Sequence, residues 1–331
     1  MKIIFAVFIF CVVLFVYLHI QFHLKTSDEL EIYEIDETSK DKLEEILDLR
    51  QPVLFHWNNP KIIETTNKTY LSSHYSCFDV KIRNTGEKEE EQSDLYVPLS
   101  LQVANQLFQQ DKTASYFSEK NKDFLEETGI VKQFKFNDSF IRPIMMSSSE
   151  YDIVMGSKEV CTPLRYEINY RTFFLITQGT VKVKLTPPHN KKHLYMNYDY
   201  ENLEFSSPIH AWNPQTKYKT DFEKVKFAEF TLTPGKALFI PPYWWYSIQF
   251  ANAETSISCF KYRTYMNQLA ILPYTAMHWL QMQNIKRVGF VSQEIPTIET
   301  KSEKHEPEEK NKEIHETEKI PNENGLNKEN A

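Results

Sequence analysis

The sequence predicts a mainly β fold: a barrel or sandwich of short strands, flanked by helices and preceded by one membrane-spanning helix. Three observations support this prediction. Residues 160–260 alternate apolar and polar side chains at a spacing of two, which is the periodicity of strands. The segments on either side repeat apolar residues at helical spacing. Residues 3–24 contain no formally charged side chain.

The strand pattern is clearest in two runs of the central region. Val181, Val183 and Leu185 alternate with lysines, and residues 244–250 alternate in the same way with large aromatic side chains. Several short strands separated by turn signals are typical of an all-β barrel or sandwich. The turn signals are Pro187-Pro188, Asn213-Pro214 and Pro234-Gly235.

Composition divides the chain into an anchor, one globular domain and a tail. The anchor is residues 1–25, the domain is residues 26–290, and residues 297–331 form a charged tail. The tail is expected to be disordered because it has too few apolar residues to offset the entropy of ordering. Within the domain, residues 38–150 are helical or mixed, residues 151–262 form the barrel core and residues 264–290 are helical again. Ser39 and Ser100 stand where N-caps are expected.

The apolar N-terminal segment predicts a membrane anchor. Residues 3–24 would extend about 33 Å as a helix, close to the hydrocarbon thickness of a bilayer. A cleaved signal peptide is the alternative, but it normally has a shorter apolar region that ends at small residues. Residues 15–22, FVYLHIQF, offer no such cleavage site. We therefore expect an uncleaved single-pass anchor that contacts the bilayer through residues 3–24.

Topology follows less directly from the sequence. Lys2 and Lys25 bracket the apolar run, and the positive-inside rule gives a slight bias towards a cytosolic N-terminus. If the domain is lumenal, Asn67 and Asn137 become glycosylation acceptors, because each begins an Asn-X-Ser/Thr sequence.

Several classes of function are excluded by composition. The net charge is −7 and no block of Lys and Arg occurs outside mixed-charge runs, so nucleic acid is not an expected partner. The chain has only 7 glycines and no glycine-rich phosphate-binding motif. Its 4 cysteines lie far apart, which argues against a zinc site or a disulfide framework.

Two segments resemble the cupin/JmjC family of iron- and 2-oxoglutarate-dependent hydroxylases. The first is FFLITQGTVKVKLTPP, residues 173–188, which is similar to that family's strand, glycine turn and strand ending in Pro-Pro. The second is TPGKALFIPPYWWY, residues 233–246, which is similar to the family's "PGD…IP…WWH" stretch. The N-terminal anchor and the Lys- and Asn-rich composition are also similar to cupin-like proteins of large DNA viruses, and this resemblance implies a virion membrane or a host endomembrane as the location.

The resemblance implies a double-stranded β-helix, an eight-stranded jelly roll. In active members a His-X-Asp/Glu pair and a distal His bind iron. Spacing back from the turn glycine places the pair at Tyr166 and Ile168, and the distal His at Tyr246. The basic residue that binds the cosubstrate falls at Val181. If the alignment is shifted by one residue, the carboxylate position falls at Glu167, but no His lies two residues before it.

We therefore expect a membrane-anchored, non-catalytic cupin, a scaffold or binding module without metal or cofactor. Its pocket is predicted to be lined by Tyr166, Ile168, Val181, Trp244 and Tyr246. The first alternative is a hydroxylase of the same family with atypical iron ligands.

The second alternative is a metal-free cupin enzyme, in which Tyr166 or Tyr246 would need Arg165 or Glu167 as an activating partner. We expect these pairings to be geometrically unfavourable, because adjacent residues of a strand face apart. The helical segment 264–286 either packs on its own barrel or forms a homodimer.

Overall fold

The computed structural model describes residues 1–36, 38–86 and 96–284. The charged tail predicted over residues 297–331 lies outside the described residues. Described helices are α1 (Lys2–Leu24), α2 (Lys40–Leu47), α3 (Pro60–Thr66), α4 (Lys68–His74), α5 (Leu101–Gln110), α6 (Lys122–Glu127), α7 (Val131–Asn137), α8 (Lys219–Phe222), α9 (Tyr265–Ala270) and α10 (Leu272–Asn284).

The described strands form two sheets. In chain order they are β1 (Tyr33–Ile35), β2 (Val53–His56), β3 (Asp79–Asn84), β4 (Val97–Ser100), β5 (Tyr116–Ser118), β6 (Met146–Gly156), β7 (Arg165–Tyr166), β8 (Arg171–Gln178), β9 (Val181–Thr186), β10 (Asn197–Asp199), β11 (Glu204–Ser206), β12 (Ala228–Leu232), β13 (Lys236–Ile240), β14 (Trp245–Phe250) and β15 (Ser256–Thr264).

The larger sheet has the order β1-β2-β13-β8-β15-β6-β5-β3-β4, and the smaller has the order β10-β11-β7-β14-β9-β12. From β6 to β9, and again from β12 to β15, consecutive strands belong to opposite sheets. Between these two runs, β10 and β11 form a hairpin within the smaller sheet. This alternation makes the two sheets the walls of a jelly roll. The predicted mainly β fold, with flanking helices and an apolar N-terminal helix, is confirmed.

Both faces of the larger sheet are buried. Phe174 and Ile176 of β8 point towards the smaller sheet, whereas Phe173 and Leu175 point towards the helices that cover the other face. The alternation follows from the period of two along a strand. The region 38–150 is thus more than a helical flank, because it adds β2–β5 to the larger sheet.

The flanking helices begin where the sequence indicates. The side chain of Ser39 accepts a hydrogen bond from the Lys42 backbone N–H at the start of α2, and Ser100 accepts one from Val103 at the start of α5. After the barrel, the C-terminal helical segment is broken at Ile271, and Pro273 occupies the first turn of α10. Proline is tolerated there because its missing N–H has no helical partner.

The connection between α1 and the barrel is short and fixed by hydrogen bonds. The guanidinium of Arg50 donates to the backbone carbonyls of His23 and Lys25, the latter at 2.7 Å. The indole N–H of Trp244, a fully buried residue of the barrel, donates to the carbonyl of Ser27 at 3.0 Å. The chain therefore enters the barrel core within a few residues of the end of α1.

The turn between β8 and β9 requires glycine. Gly179 has a φ of +76°, and a Cβ added there would lie 2.4 Å from the Thr255 Oγ1 and 2.8 Å from its Cα. We expect Gly179→Ala to lower the free energy of unfolding by about 3 kcal/mol, because backbone strain and a steric clash add.

Gly235 is the matched control, because it has a φ of +83° but no atom within 4 Å of an added Cβ. Gly235→Ala is expected to cost about 1 kcal/mol from backbone strain alone. Denaturant unfolding of the full chain in mild detergent measures both values. Equal losses in the two variants would contradict the steric contribution.

Candidate functional site

One end of the jelly roll encloses a charged cavity of about 120 Å³. Side chains from β6, β7, β8, β14 and β15 reach it, together with residues just after β5 and in the hairpin before β11. Its lining is dominated by acidic and basic groups rather than by apolar ones. The charged lining residues are Glu119, Lys120, Glu150, Asp152, Arg165, Glu167, Glu204, Lys261 and Arg263.

Tyr246 lies at the centre of this group and is fully buried. Its hydroxyl donates to the Glu167 Oε1 at 3.0 Å and accepts from the Arg165 Nε at 3.3 Å. Burial raises the pKa of Tyr246 well above its ordinary value, so the phenol stays neutral near neutral pH. Tyr246 can therefore bridge a cation and a carboxylate, but it is not poised to act as a base.

Arg165 forms a bidentate ion pair with Glu119. One guanidinium nitrogen donates to the Glu119 Oε1 at 2.9 Å and a second donates to Oε2. Glu119 also accepts a hydrogen bond from the hydroxyl of Tyr96 at 2.8 Å. Burial raises the pKa of Glu119, but the charge and hydrogen bonds of Arg165, helped by Arg83, outweigh burial and hold the pKa well below its usual range.

Two further contacts extend the network on either side. Arg83 donates to the Glu204 Oε1 at 2.7 Å, and Lys261 donates to the Glu167 Oε1 at 2.9 Å. Burial raises the pKa of Glu167, but the charges of Lys261 and Arg165 reverse this effect and lower it overall. Each of these buried charges therefore faces one of opposite sign, the arrangement that a low-dielectric interior requires.

Asp152 is the cavity carboxyl that titrates near neutrality. It accepts hydrogen bonds from the backbone N–H groups of Lys120 at 2.6 Å and Asn121 at 2.8 Å. Burial raises its pKa to about 7 and the nearby charge of Glu119 acts in the same direction, while the backbone hydrogen bonds oppose the shift. Its environment thus differs from that of Glu119 and Glu167, which each meet a cationic side chain.

The structure brings together only part of the predicted pocket. Tyr246 and Tyr166 both contribute to the cavity lining, but the Tyr166 ring stacks on Phe205 in a cluster on the outer face of the smaller sheet. Ile168 belongs to that same outer cluster. Val181 and Trp244 are buried in the apolar layer between the sheets and do not line the cavity.

Tyr246 contacts Arg165 and Glu167. Like the predicted pair, Tyr166 and Ile168, these two residues are two apart in the sequence, but each lies one position earlier. Counting back from Gly179 assumes a fixed length for the connection between β7 and β8. In this chain that connection places Arg165 opposite Tyr246, so the neighbouring Tyr166 must point to the other face. Tyr246 therefore does pair with Arg165 and Glu167, against our expectation, because these contacts cross between strands.

This group of side chains does not fit ferrous iron. At the three positions there is one carboxylate, one phenol and one guanidinium, and the guanidinium has no lone pair to offer a metal. The single carboxylate already neutralises Lys261. Among the described residues, no three His, Cys, Asp or Glu side chains are grouped so that they could hold a metal ion.

The sequence predictions do not include most of the network. The inward position of Lys261 can be predicted from the sequence, because it continues the inward-facing alternation of Ile257 and Cys259 along β15. Glu119 and Glu204 have no such pattern. Glu119 follows β5 and Glu204 begins the three-residue strand β11, so the position of each depends on long-range contacts.

The two predicted glycosylation acceptors both make local hydrogen bonds. The side chain of Asn67 caps α4, accepting from the Tyr70 N–H at 2.8 Å and donating to carbonyls of α3. The amide of Asn137 donates to the Gln133 carbonyl at 2.8 Å. A glycan on either amide nitrogen would compete with these bonds.

Removing one partner of the buried pair is expected to be costly. Glu119→Gln leaves Arg165 charged, buried and without a carboxylate, so we expect the free energy of unfolding to fall by about 3–5 kcal/mol. The matched control is Asp123→Asn, which breaks an exposed ion pair: the side chain of Asp123 is 65% exposed and that of its partner Lys81 is 39% exposed. This variant should cost at most about 1 kcal/mol. Similar losses for both variants in denaturant unfolding would contradict this assignment.

The raised pKa of Asp152 predicts a specific pH dependence. An acid whose pKa is raised on folding binds more protons in the folded state, so its contribution to stability falls as pH rises from about 4 to 7. We therefore expect the stability of Asp152→Asn, measured relative to the unsubstituted protein, to improve as pH rises from about 4 to 7 and to change little above that range. Parallel stability curves over that range would show that Asp152 titrates normally.

Comparison with known proteins agrees with the architecture. HSPB1-associated protein 1 of Homo sapiens is 28% identical over 133 residues, which cover 40% of this chain and 27% of that protein. JmjC domain-containing protein D of Dictyostelium discoideum is 26% identical over 108 residues, 33% of this chain and 24% of that protein. The chain thus matches about a quarter of the length of these curated relatives. The cupin-like domain family matches residues 39–267, and the chain belongs to that family.

Proposed function

We propose that this protein is a membrane-anchored cupin-like scaffold or binding module that works without iron and 2-oxoglutarate. The observation that carries the proposal is the side-chain group around Tyr246. Where related hydroxylases place metal ligands, this chain places Arg165 and Glu167, each already paired with an opposite charge. In these ion pairs, Arg165 and Lys261 neutralise the carboxylates, as a bound metal ion would otherwise do.

Electrostatics supports this proposal. A divalent cation in the cavity would approach the guanidinium of Arg165 and the ammonium of Lys261, and both groups lie within hydrogen-bonding distance of the Tyr246–Glu167 pair. Like charges in a low-dielectric interior repel strongly. Iron binding would therefore require Lys261 to leave Glu167. The position implied for the cosubstrate-binding basic residue, Val181, is apolar and fully buried.

The chemistry of the cavity also disfavours the metal-free enzyme. The pKa of Tyr246 is raised by burial, so the phenol would be a poor base near neutral pH. Glu167 has a lowered pKa and is held by Lys261, so it would be a poor acid. The cavity of about 120 Å³ is also smaller than the sites that usually enclose organic ligands. A structural role for the charge network accounts for all three properties.

The anchor is the second part of the proposal. Of the described helices, α1 is long and apolar enough to cross a membrane, and residues 3–15 are exposed on every side. A helical segment that is apolar all round and packs against none of the described residues, as residues 3–15 are, fits a lipid environment. The proposed orientation has the N-terminus in the cytosol.

Metal and cosubstrate binding by the full chain in mild detergent tests the proposal. We expect no stoichiometric iron by elemental analysis after loading with ferrous iron, and no saturable 2-oxoglutarate binding by calorimetry. Stoichiometric iron together with 2-oxoglutarate binding would overturn the metal-independent assignment.

A designed variant shows whether the assay could detect a metal site. Arg165→His with Tyr246→His places two imidazoles beside Glu167, which is the two-His, one-carboxylate set that suits ferrous iron. We expect this double variant to retain more iron than the unsubstituted protein. Circular dichroism would establish that the variant remains folded.

A further inference from the structure

We propose that helices α9 and α10 form a second membrane-contacting element that lies along the surface of the bilayer spanned by α1. The inference rests on the proposed anchor, and extends it from one helix to a surface of the domain. Four observations lead to it: the packing of α9 on α1, the absence of charge, the exposed apolar face of α10, and a neighbouring apolar loop.

The first observation places α9 at the level of the membrane surface. α9 packs against α1. The α1 residues that lose exposure lie in its C-terminal half: Val16, His19, Ile20 and Gln21 are half-buried and His23 is buried. All of them except Gln21 follow the spacing of one helix face. If the apolar residues 3–24 fill the hydrocarbon region, which is about 30 Å thick, the last turn of α1 reaches the headgroups and the half-buried positions lie just below them.

The second observation is the composition of the two helices. From residue 265 to residue 284 the sequence is YMNQLAILPYTAMHWLQMQN, with no Asp, Glu, Lys or Arg. A surface helix of a water-soluble domain normally carries charged residues on its outer face. Tyr and Trp side chains with no neighbouring charges are instead typical of segments at the membrane interface.

The third observation is that α10 has apolar residues on both faces. Its inner face packs on the barrel: the Tyr274 ring meets the edge of Phe205 at 5.4 Å between centroids, and His278 Nδ1 donates to the Tyr200 carbonyl at 2.8 Å. Among the described residues, nothing packs on the outer face. The exposed apolar residues of α9 and α10, 40–62% exposed, are Tyr265, Leu269, Leu272, Met277, Trp279, Leu280 and Met282.

The fourth observation extends this face beyond the two helices. Ile144 and Met145 are 76% and 70% exposed, and they directly precede β6. Met146 at the start of β6 pairs with Thr264, the residue before α9. Two separate parts of the chain therefore bring exposed apolar side chains to the same end of the sheet. A contiguous patch of this kind usually marks a contact surface.

The occupant that fits this face is the lipid bilayer. The face adjoins α1, which the proposed function already places in lipid, so the two surfaces are continuous. Helices that bury one apolar face in the interface and pack the other on protein need no charge on either side. A second copy of the chain is the competing occupant, and the experiment below distinguishes the two.

Fluorescence of Trp279 tests the proposal in the full chain. Trp279 is 59% exposed, whereas Trp57, Trp244 and Trp245 are buried and Trp212 is half-buried. The protein is reconstituted into vesicles of dioleoyl phosphatidylcholine and phosphatidylglycerol, with or without brominated phosphatidylcholine. We expect brominated lipid to quench the unsubstituted protein, and most of that quenching to be lost in Trp279→Phe.

Two outcomes overturn the inference in different ways. If an alkaline wash releases the chain from the vesicles, the anchor itself is wrong and the inference falls with it. If the chain resists the wash but Trp279→Phe is quenched as much as the unsubstituted protein, the anchor stands and the interfacial role of α10 is wrong.

Charge substitution adds a matched pair of variants. Leu280→Glu puts a carboxylate on the outer face of α10 and is expected to reduce the quenching of Trp279. Val103→Glu introduces the same change at an exposed residue of α5, a helix that packs on β3–β5, and should leave the quenching unchanged. Equal effects of the two variants would contradict the proposal. So would a Leu280→Glu variant that turns a dimer into a monomer in detergent without altering the quenching, because a second copy would then cover the face.

Discussion

The bidentate ion pair between Arg165 and Glu119 determines how the end of the jelly roll is built. Glu119 follows β5 in the larger sheet, and Arg165 belongs to β7 in the smaller sheet. The pair thus joins the two walls of the barrel where their apolar contacts give way to the cavity. Because a buried charge needs a partner, each neighbour is constrained in turn: Tyr246 bridges Arg165 to Glu167, and Glu167 is neutralised by Lys261.

The fold was largely predictable from the sequence because its signals are local. The period-two runs of β9 and β14, the Gly179 turn and the Pro-Pro pair each reflect a few neighbouring residues. The strands β3–β5 were harder to predict, because their apolar residues are short runs between helices. Such runs become strands only when the edge of the larger sheet accepts them.

The site was less predictable because it depends on register and on loops. A shift of one residue in the connection before β8 exchanges Tyr166 for Arg165 as the inward-facing side chain, and no local pattern reports that shift. The sequence could show that the metal-binding side chains are replaced. It could not show that the replacement is a charge network, because Glu119 and Glu204 come from segments far away in the chain.

The short junction after α1 has a consequence for how partners would meet this protein. The Trp244 indole holds the Ser27 carbonyl, and Arg50 holds the last carbonyls of the helix, so the domain has no free tether on which to swivel. In a bilayer crossed by α1, the barrel would keep one side towards the lipid and its cavity at a constant height. Proteins in the same membrane would then encounter it in two dimensions and in a defined orientation, which reduces the rotational search that precedes recognition.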